Sequence, residues 1–201
     1  MSAIKSQLRS ALRRLYNSVR HPRPAGLAAI GSGAVIQCPR QLQGAKSIRV
    51  GQDTTILSNS WISAIQRYQG IQHSPSVNIG DRVYIGHGVC LSAMREVTIG
   101  DDCVLSERIY ISDCAHGIDP TAGPILKQPL MNKGPVRIGN STFIGYGAAI
   151  LPGVILGKHC VVGANSVVTH SFPDYSMVAG SPAKLLKRYS VEEERWIPAP
   201  P

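Results

Sequence analysis

An aliphatic residue returns at every sixth position through Ile138, Ile144, Ile150, Leu156, Val162 and Val168. Neither a helix nor a strand repeats on that period. The same spacing recurs upstream in triplets: Ile30, Ile36, Leu42; Val50, Ile56, Ile62; Ile79, Ile85, Leu91; and Ile99, Leu105, Ile111. Self-similarity of this kind marks a solenoid, and a six-residue unit marks a parallel β-helix in which three flat faces make one triangular turn. A sandwich would alternate at period two instead. Inward aliphatics then stack on the same position of the next coil, each contributing roughly 1.5–3 kcal/mol on burial, and no coil is stable alone.

A Gly or other small residue often follows the aliphatic one, as in "IGDRVY", "IGHGVC", "IGNSTF" and "LGKHCV", which places a turn there. Four positions on come small or β-branched residues (Val83, Val89, Cys103, Thr142, Ala148, Val154, Cys160, Ser166) that suit a narrow corner. The triplets begin at 30, 50, 79, 99, 138 and 156, so successive coils carry two, eleven, two, twenty-one and no residues beyond eighteen, all entering after the third face. Insertions gathered on one edge mark the binding side. Six such coils make a prism about 25–30 Å tall.

The ends differ from the middle. The first 52 residues hold nine Lys or Arg and no acid, while the remainder hold twelve of each sign, so the net charge of +9 sits at one end. Within it Ile4, Leu8, Ala11, Leu12, Leu15 and Val19 form one helical stripe. That stripe suits either peripheral contact of residues 4–20 with anionic lipid or a cap on the first coil. The basic tract lacks interleaved aromatics and any nucleic-acid motif, which argues against nucleic acid as partner. Five cysteines without a C-x-x-C pair suggest neither zinc ribbon nor disulfide framework. Together with the lack of an apolar membrane-length run, this points to a cytoplasmic protein, at the inner membrane face if the stripe binds lipid. After the last coil, Pro182 is expected to start a short helix through "AKLLKRYSVEEERW". The expected organisation is a basic helix and linker over 1–25, a solenoid over 26–180 with loops at 63–78 and 112–137, and a C-terminal helix and tail over 181–201.

Residues 76 to 189, with "YISDCAHGID", "GPVRIGNSTFIGYGAAILPGVILGKHCVVGANSVVT" and "AGSPAKLLKRY", resemble the left-handed β-helix hexapeptide acyltransferases that use acetyl-coenzyme A to O-acetylate sugars. The likeness is greatest to enzymes acting on bacterial surface polysaccharide such as lipopolysaccharide O-antigen. The left hand of the coil, a homotrimer with shared sites, a coenzyme A donor and a carbohydrate acceptor are all implied by this resemblance. An amino-sugar N-acetyltransferase is the close alternative, and a noncatalytic trimeric scaffold docked to membrane by its N-terminus is the alternative of another class.

Acetyl transfer to a hydroxyl needs a general base near neutral pKa, and His116, in the twenty-one-residue insertion, stands where the resembling enzymes carry theirs. Asp113 or Asp119 would hold the ring, with Asp113 preferred. The resemblance places oxyanion donors near Gly145 and Tyr146, and the pantetheine arm against Ala148, Gly163 and Ala164, with Thr169 ending that motif. Lys184, helped by Lys187 and Arg188, would await the coenzyme's phosphates. For the acceptor, Tyr68 in "RYQGIQH" offers an aromatic among amide and cationic groups, His87 is a loop-side imidazole, and Phe143 replaces the Trp usual in the family's "VWIG". The zinc site of hexapeptide carbonic anhydrases needs a second His a few residues after His87, where Ser92 stands, so no metal is expected. His159 and His170 are expected outward on the coil, with His21 and His73 in loops.

Overall fold

Stacked hexapeptides bury one aliphatic per face, and that requirement sets the architecture. The computed structural model describes residues 24–199. They form three parallel sheets that each take one strand from each of six coils. The register follows the sixfold recurrence: Ile30 stands beside Val50, then Ile79, Ile99, Ile138 and Leu156 on the first face. Ile36, Ile56, Ile85, Leu105, Ile144 and Val162 stack on the second face. Leu42, Ile62, Leu91, Ile111, Ile150 and Val168 complete the third. From the second coil to the sixth these residues are almost wholly buried, while Ile30 and Leu42 of the first coil are only partly covered.

The corners explain the small residues. At the first corner, between faces one and two, a Cβ added to Gly139 would lie 2.5 Å from the carbonyl carbon of Gly157 in the next coil, so close backbone approach excludes any side chain. Two residues further, Asp53, Arg82, Asp102, Ser141 and His159 adopt the left-handed conformation that turns the chain. The amide before the turning residue is closed by a side chain of the following coil at four of these five turns: Gln52 donates to Asp81 (2.7 Å), Asp81 to Asp101 (2.8 Å), Asp101 to Asn140 (3.1 Å) and Lys158 to Asp174 (2.9 Å). Inside the same corner, Thr54, Cys103, Thr142 and Cys160 donate to the carbonyls of Gly80, Gly139, Gly157 and Pro173. Burial pushes the Cys103 thiol up to about 11, which suits a structural rather than reactive sulfur.

The far end departs from expectation. No C-terminal helix forms over 181–201 among the described residues; Ser176–Gly180 extends the second face, and Ala183–Ser190 and Arg195–Pro198 continue it as antiparallel strands. Ala183 is fully buried and Leu185 packs partly against the core, an alternation that closes the last coil with a sheet edge. The expected N-terminal helix lies in residues 1–23, outside those described. No helix among the described residues is long and apolar enough to cross a membrane.

Candidate active site

Residues inserted after the third face escape the repeat, and the two longest insertions fold toward each other. The eleven-residue insertion forms a hairpin of Arg67–Tyr68 with Ile71–Gln72. The twenty-one-residue one pairs Cys114–His116 antiparallel with Leu130–Asn132 and carries a single 3-10 turn, Ile125–Lys127. Gln69 donates to the carbonyl of Leu126 and so ties the tips of the two loops.

Asp113, expected to orient His116, does something else. It is fully buried, and its carboxylate accepts from the backbone amides of Met94 (2.8 Å), Arg95 (2.7 Å) and Glu96 (2.6 Å). Its backbone carbonyl accepts from the Asn132 side-chain Nδ2 at 2.7 Å. Asp113 therefore anchors the root of the long loop onto the coil beneath, because three converging N–H groups satisfy a buried carboxylate. Asp119 is likewise spent, capping Thr121 through its amide and hydroxyl, contacts that hold the carboxylate below its usual range.

His116 is held instead by Tyr68, forty-eight residues away in sequence, whose hydroxyl lies 3.2 Å from Nδ1 and 3.3 Å from the Leu126 carbonyl. A carbonyl can only accept, so the phenol proton is best placed on Leu126. Nδ1 then donates to the phenol oxygen, and Nε2 is left bare as the acceptor. His116 is exposed and, with Tyr68, forms the wall of a cleft of about 330 Å³ whose floor is the outer surface of the third face, with Trp61, Ser92 and Tyr110. That volume lies at the small end of ligand pockets.

The residues expected to hold coenzyme divide. Gly145 and Gly163 donate to Val162 and Val178 of the next strands at 2.8 Å, so neither amide is free. Ala148 is fully buried, donates to Gly145 and accepts from Tyr110, so it packs the corner with both backbone groups engaged inside the coil. Tyr146 and Ala164 differ: both are exposed at the second corner, and neither amide has an acceptor among the described residues. The amides of His87 and Glu107 in the same column are likewise bare, since the side-chain ladder of the first corner has no counterpart here. Thr169 is exposed beyond the third face, 3.2 Å from Nδ1 of His170. Lys184, Lys187 and Arg188 are exposed on the closing strand Ala183–Ser190.

His87 is an exposed residue of the second corner whose Nδ1 lies 2.9 Å from the Ser58 hydroxyl, and Phe143 faces outward on the second face. Neither lines the His116 cleft of the same chain. No group of three or more metal-ligating side chains occurs among the described residues. The sequence placed both long loops on one edge but held no signal for the Tyr68–His116 contact, which depends on how two hairpins fold back. Trp61 and Tyr110 were missed as cleft residues, although both occupy the outward position beside an inward aliphatic.

A family model described as bacterial transferase hexapeptide (six repeats) matches residues 135–170. A putative lipopolysaccharide biosynthesis O-acetyl transferase of Escherichia coli is 32% identical over 168 residues, covering 81% of this chain and 82% of its own length. A probable acetyltransferase of Mycobacterium tuberculosis is 31% identical over 84% of this chain, which spans about half (52%) of that relative's length. Among solved structures, an N-acyltransferase from Bacillus cereus in complex with dTDP and 3-hydroxybutyryl-CoA superimposes with a TM-score of 0.67 at 20% identity, covering 84% of this chain and 86% of its own. That likeness bears on the fold.

Proposed function

The chain belongs to the hexapeptide-repeat acetyltransferases, and on that premise we propose that it moves an acetyl group from acetyl-coenzyme A to a sugar hydroxyl of a bacterial surface polysaccharide or its precursor. The relative named for lipopolysaccharide biosynthesis supports that acceptor class. The observation that carries the reading is His116, exposed on the cleft wall with Nδ1 tied to Tyr68. The coenzyme brings the thioester that is attacked. Nε2 takes the proton of the acceptor hydroxyl as its oxygen adds to the thioester carbonyl, and returns it to the departing thiolate.

The second corner fits the rest of the donor. An extended amide chain finds bare N–H groups at Tyr146 and Ala164, either of which also suits an oxyanion, while Lys184 offers a cation to phosphate. One prism holds these amides and His116 on different edges, separated by the third face. Side-by-side packing of prisms, with the left-handed winding the resemblance implies, brings one chain's base to a neighbour's amides, and a homotrimer closes that arrangement. In it His87 and Phe143 belong to the coenzyme edge and border the acceptor from the neighbouring side.

The test is thiol release from acetyl-coenzyme A with a panel of sugars and amino sugars. His116→Ala is expected to lower kcat/KM by about 10²–10⁴-fold with the Tm unchanged. Retained activity removes His116 as base. Transfer confined to amino sugars establishes the amine acceptor, and no release with any acceptor favours a scaffold.

A further inference from the structure

The outward positions of the third face form a column that the repeat does not require. Trp61 pairs with Cys90, and Cys90 with Tyr110, so the indole and the phenol project from the same surface two strand spacings apart, roughly 10 Å, with a small side chain between them. Tyr110 is 39% exposed and Trp61 half-buried, and both line the cleft under His116. Large side chains are not needed there for packing: the next two coils carry only Ala149 and Val167 at the same position. The Arg40 guanidinium stands 5.5 Å from the Trp61 ring centre and holds the indole in place.

Beside the aromatics runs a polar row. Two residues on from Trp61 and Cys90 come Ser63 and Ser92, which pair with each other across the strands, and Gln43 stands next to Ser63. Ser63 is almost wholly buried and donates to the Gln43 carbonyl oxygen at 3.0 Å, and Gln41 donates to the same oxygen at 3.2 Å, so the Gln43 NH2 is the end left to donate outward. Two separated aromatic faces, a hollow between them and hydroxyl and amide groups along one side are complementary to sugar rings, which have apolar faces and polar rims. A single ring cannot reach both aromatics.

We propose that the third face is an extended acceptor platform that binds a glycan of two or more rings across Trp61 and Tyr110, so that the substrate is an oligosaccharide and not a free monosaccharide. This rests on the acetyl-transfer reading only for what happens at His116; the platform itself is read from the side chains of the third face.

Two measurements on the full chain separate the platform from that reading. The first is thiol release with one-, two- and three-ring forms of each panel sugar. Lengthening an accepted sugar from one ring to three is expected to raise kcat/KM at least about tenfold. Tyr110→Ala is expected to abolish that gain, so that one-ring and three-ring forms are turned over alike, and Trp61→Phe to retain most of it. The second is binding read from Trp61 fluorescence in the Trp196→Phe background, which leaves one of the two tryptophans. Quenching by a two- or three-ring panel sugar at least about tenfold tighter than by its one-ring form supports the platform even if no transfer is found. Equal response to all chain lengths, or quenching by coenzyme A in place of saccharide, overturns it whether or not His116 proves to be the base.

Discussion

Two edges of the same prism handle the backbone in opposite ways. At the first corner the turns are alike: a residue too crowded for a side chain, as at Gly139, and then a left-handed residue whose preceding amide is capped by an Asp or Asn of the next coil wherever one stands there. At the third corner only the fifth coil turns tightly, through Gly153, and elsewhere the chain leaves the repeat. A residue inside the repeat must fit the coils above and below it, so its chemistry is spoken for. An inserted residue has no such partner, and the first corner consequently carries stability while the third carries His116, Tyr68 and the cleft.

Asp113 tests that division hardest, because it is a first-corner device at the root of a third-corner loop. Its carboxylate is fully buried and closes three backbone amides. Asp113→Ala strands those donors, and we expect about 3–5 kcal/mol of destabilisation by chemical denaturation, with partial recovery in Asp113→Asn because the amide oxygen still accepts. If Asp113→Asn instead folds as well as the parent but loses acetyl transfer, Asp113 is a functional group and the division fails at this point.

Gly139→Ala is the complementary change on the regular edge. The added methyl meets backbone on the next coil, which cannot move aside as a side chain does. The expected cost is about 1–3 kcal/mol of stability with unchanged kcat per folded molecule. A loss of activity exceeding the loss of folded protein would show that the first corner communicates with the cleft.

What could be read in advance follows the same line. The six triplets were legible because each inward aliphatic answers to one constraint, burial beneath its counterpart, and the observed register repeats the triplets residue by residue. "AKLLKR" was not, because adjacent Leu185 and Leu186 fit a helical stripe as readily as an alternating strand; only the sheet edge left open by Val161–Val162 and Ser176–Gly180 decides for the strand. The placement of His116 on a loop of the ragged edge could be read from the length of its insertion. Its partner could not, since pairing Tyr68 with His116 needs the fold-back of two hairpins, and carboxylates nearer in sequence looked better suited to the task.

Tyr68→Phe sharpens the third-corner half of the comparison. Removing the hydroxyl frees the ring of His116 and its tautomer but leaves the imidazole proposed as base in place. Losing one hydrogen bond of ordinary strength, about 1 kcal/mol, predicts a fall in kcat of about 3–10-fold with little change in acceptor KM. Nitrogen-resolved NMR of His116 supplies the discriminating readout: the proton should sit on Nδ1 in the parent chain and redistribute between the ring nitrogens in Tyr68→Phe. A rise in KM with kcat and the tautomer unchanged would make Tyr68 an acceptor contact and not a positioning residue.

The smallest effect lies where the two edges meet. Glu96 and Arg137 form a bidentate pair (2.8 and 3.1 Å) on the first face, joining the coils between which the longest insertion departs. The bond to Arg137 holds the Glu96 carboxyl below its usual range against a desolvation that opposes it. Folded Glu96 thus releases its proton more readily than the unfolded chain does, so the pair stabilises above the unfolded pKa of about 4.3 and loses that contribution as pH falls through the lower folded value. The Arg137 side chain is half exposed and that of Glu96 partly exposed, and screening keeps the gain small. The Tm difference between the parent and Glu96→Gln should be slight at neutral pH and low salt, shrink in high salt, and disappear in acid. A difference that survives acid would have to come from packing at the loop root, where Asp113 already holds the Glu96 amide, and the anchoring of the long loop would then extend one residue further along the coil than its hydrogen bonds indicate.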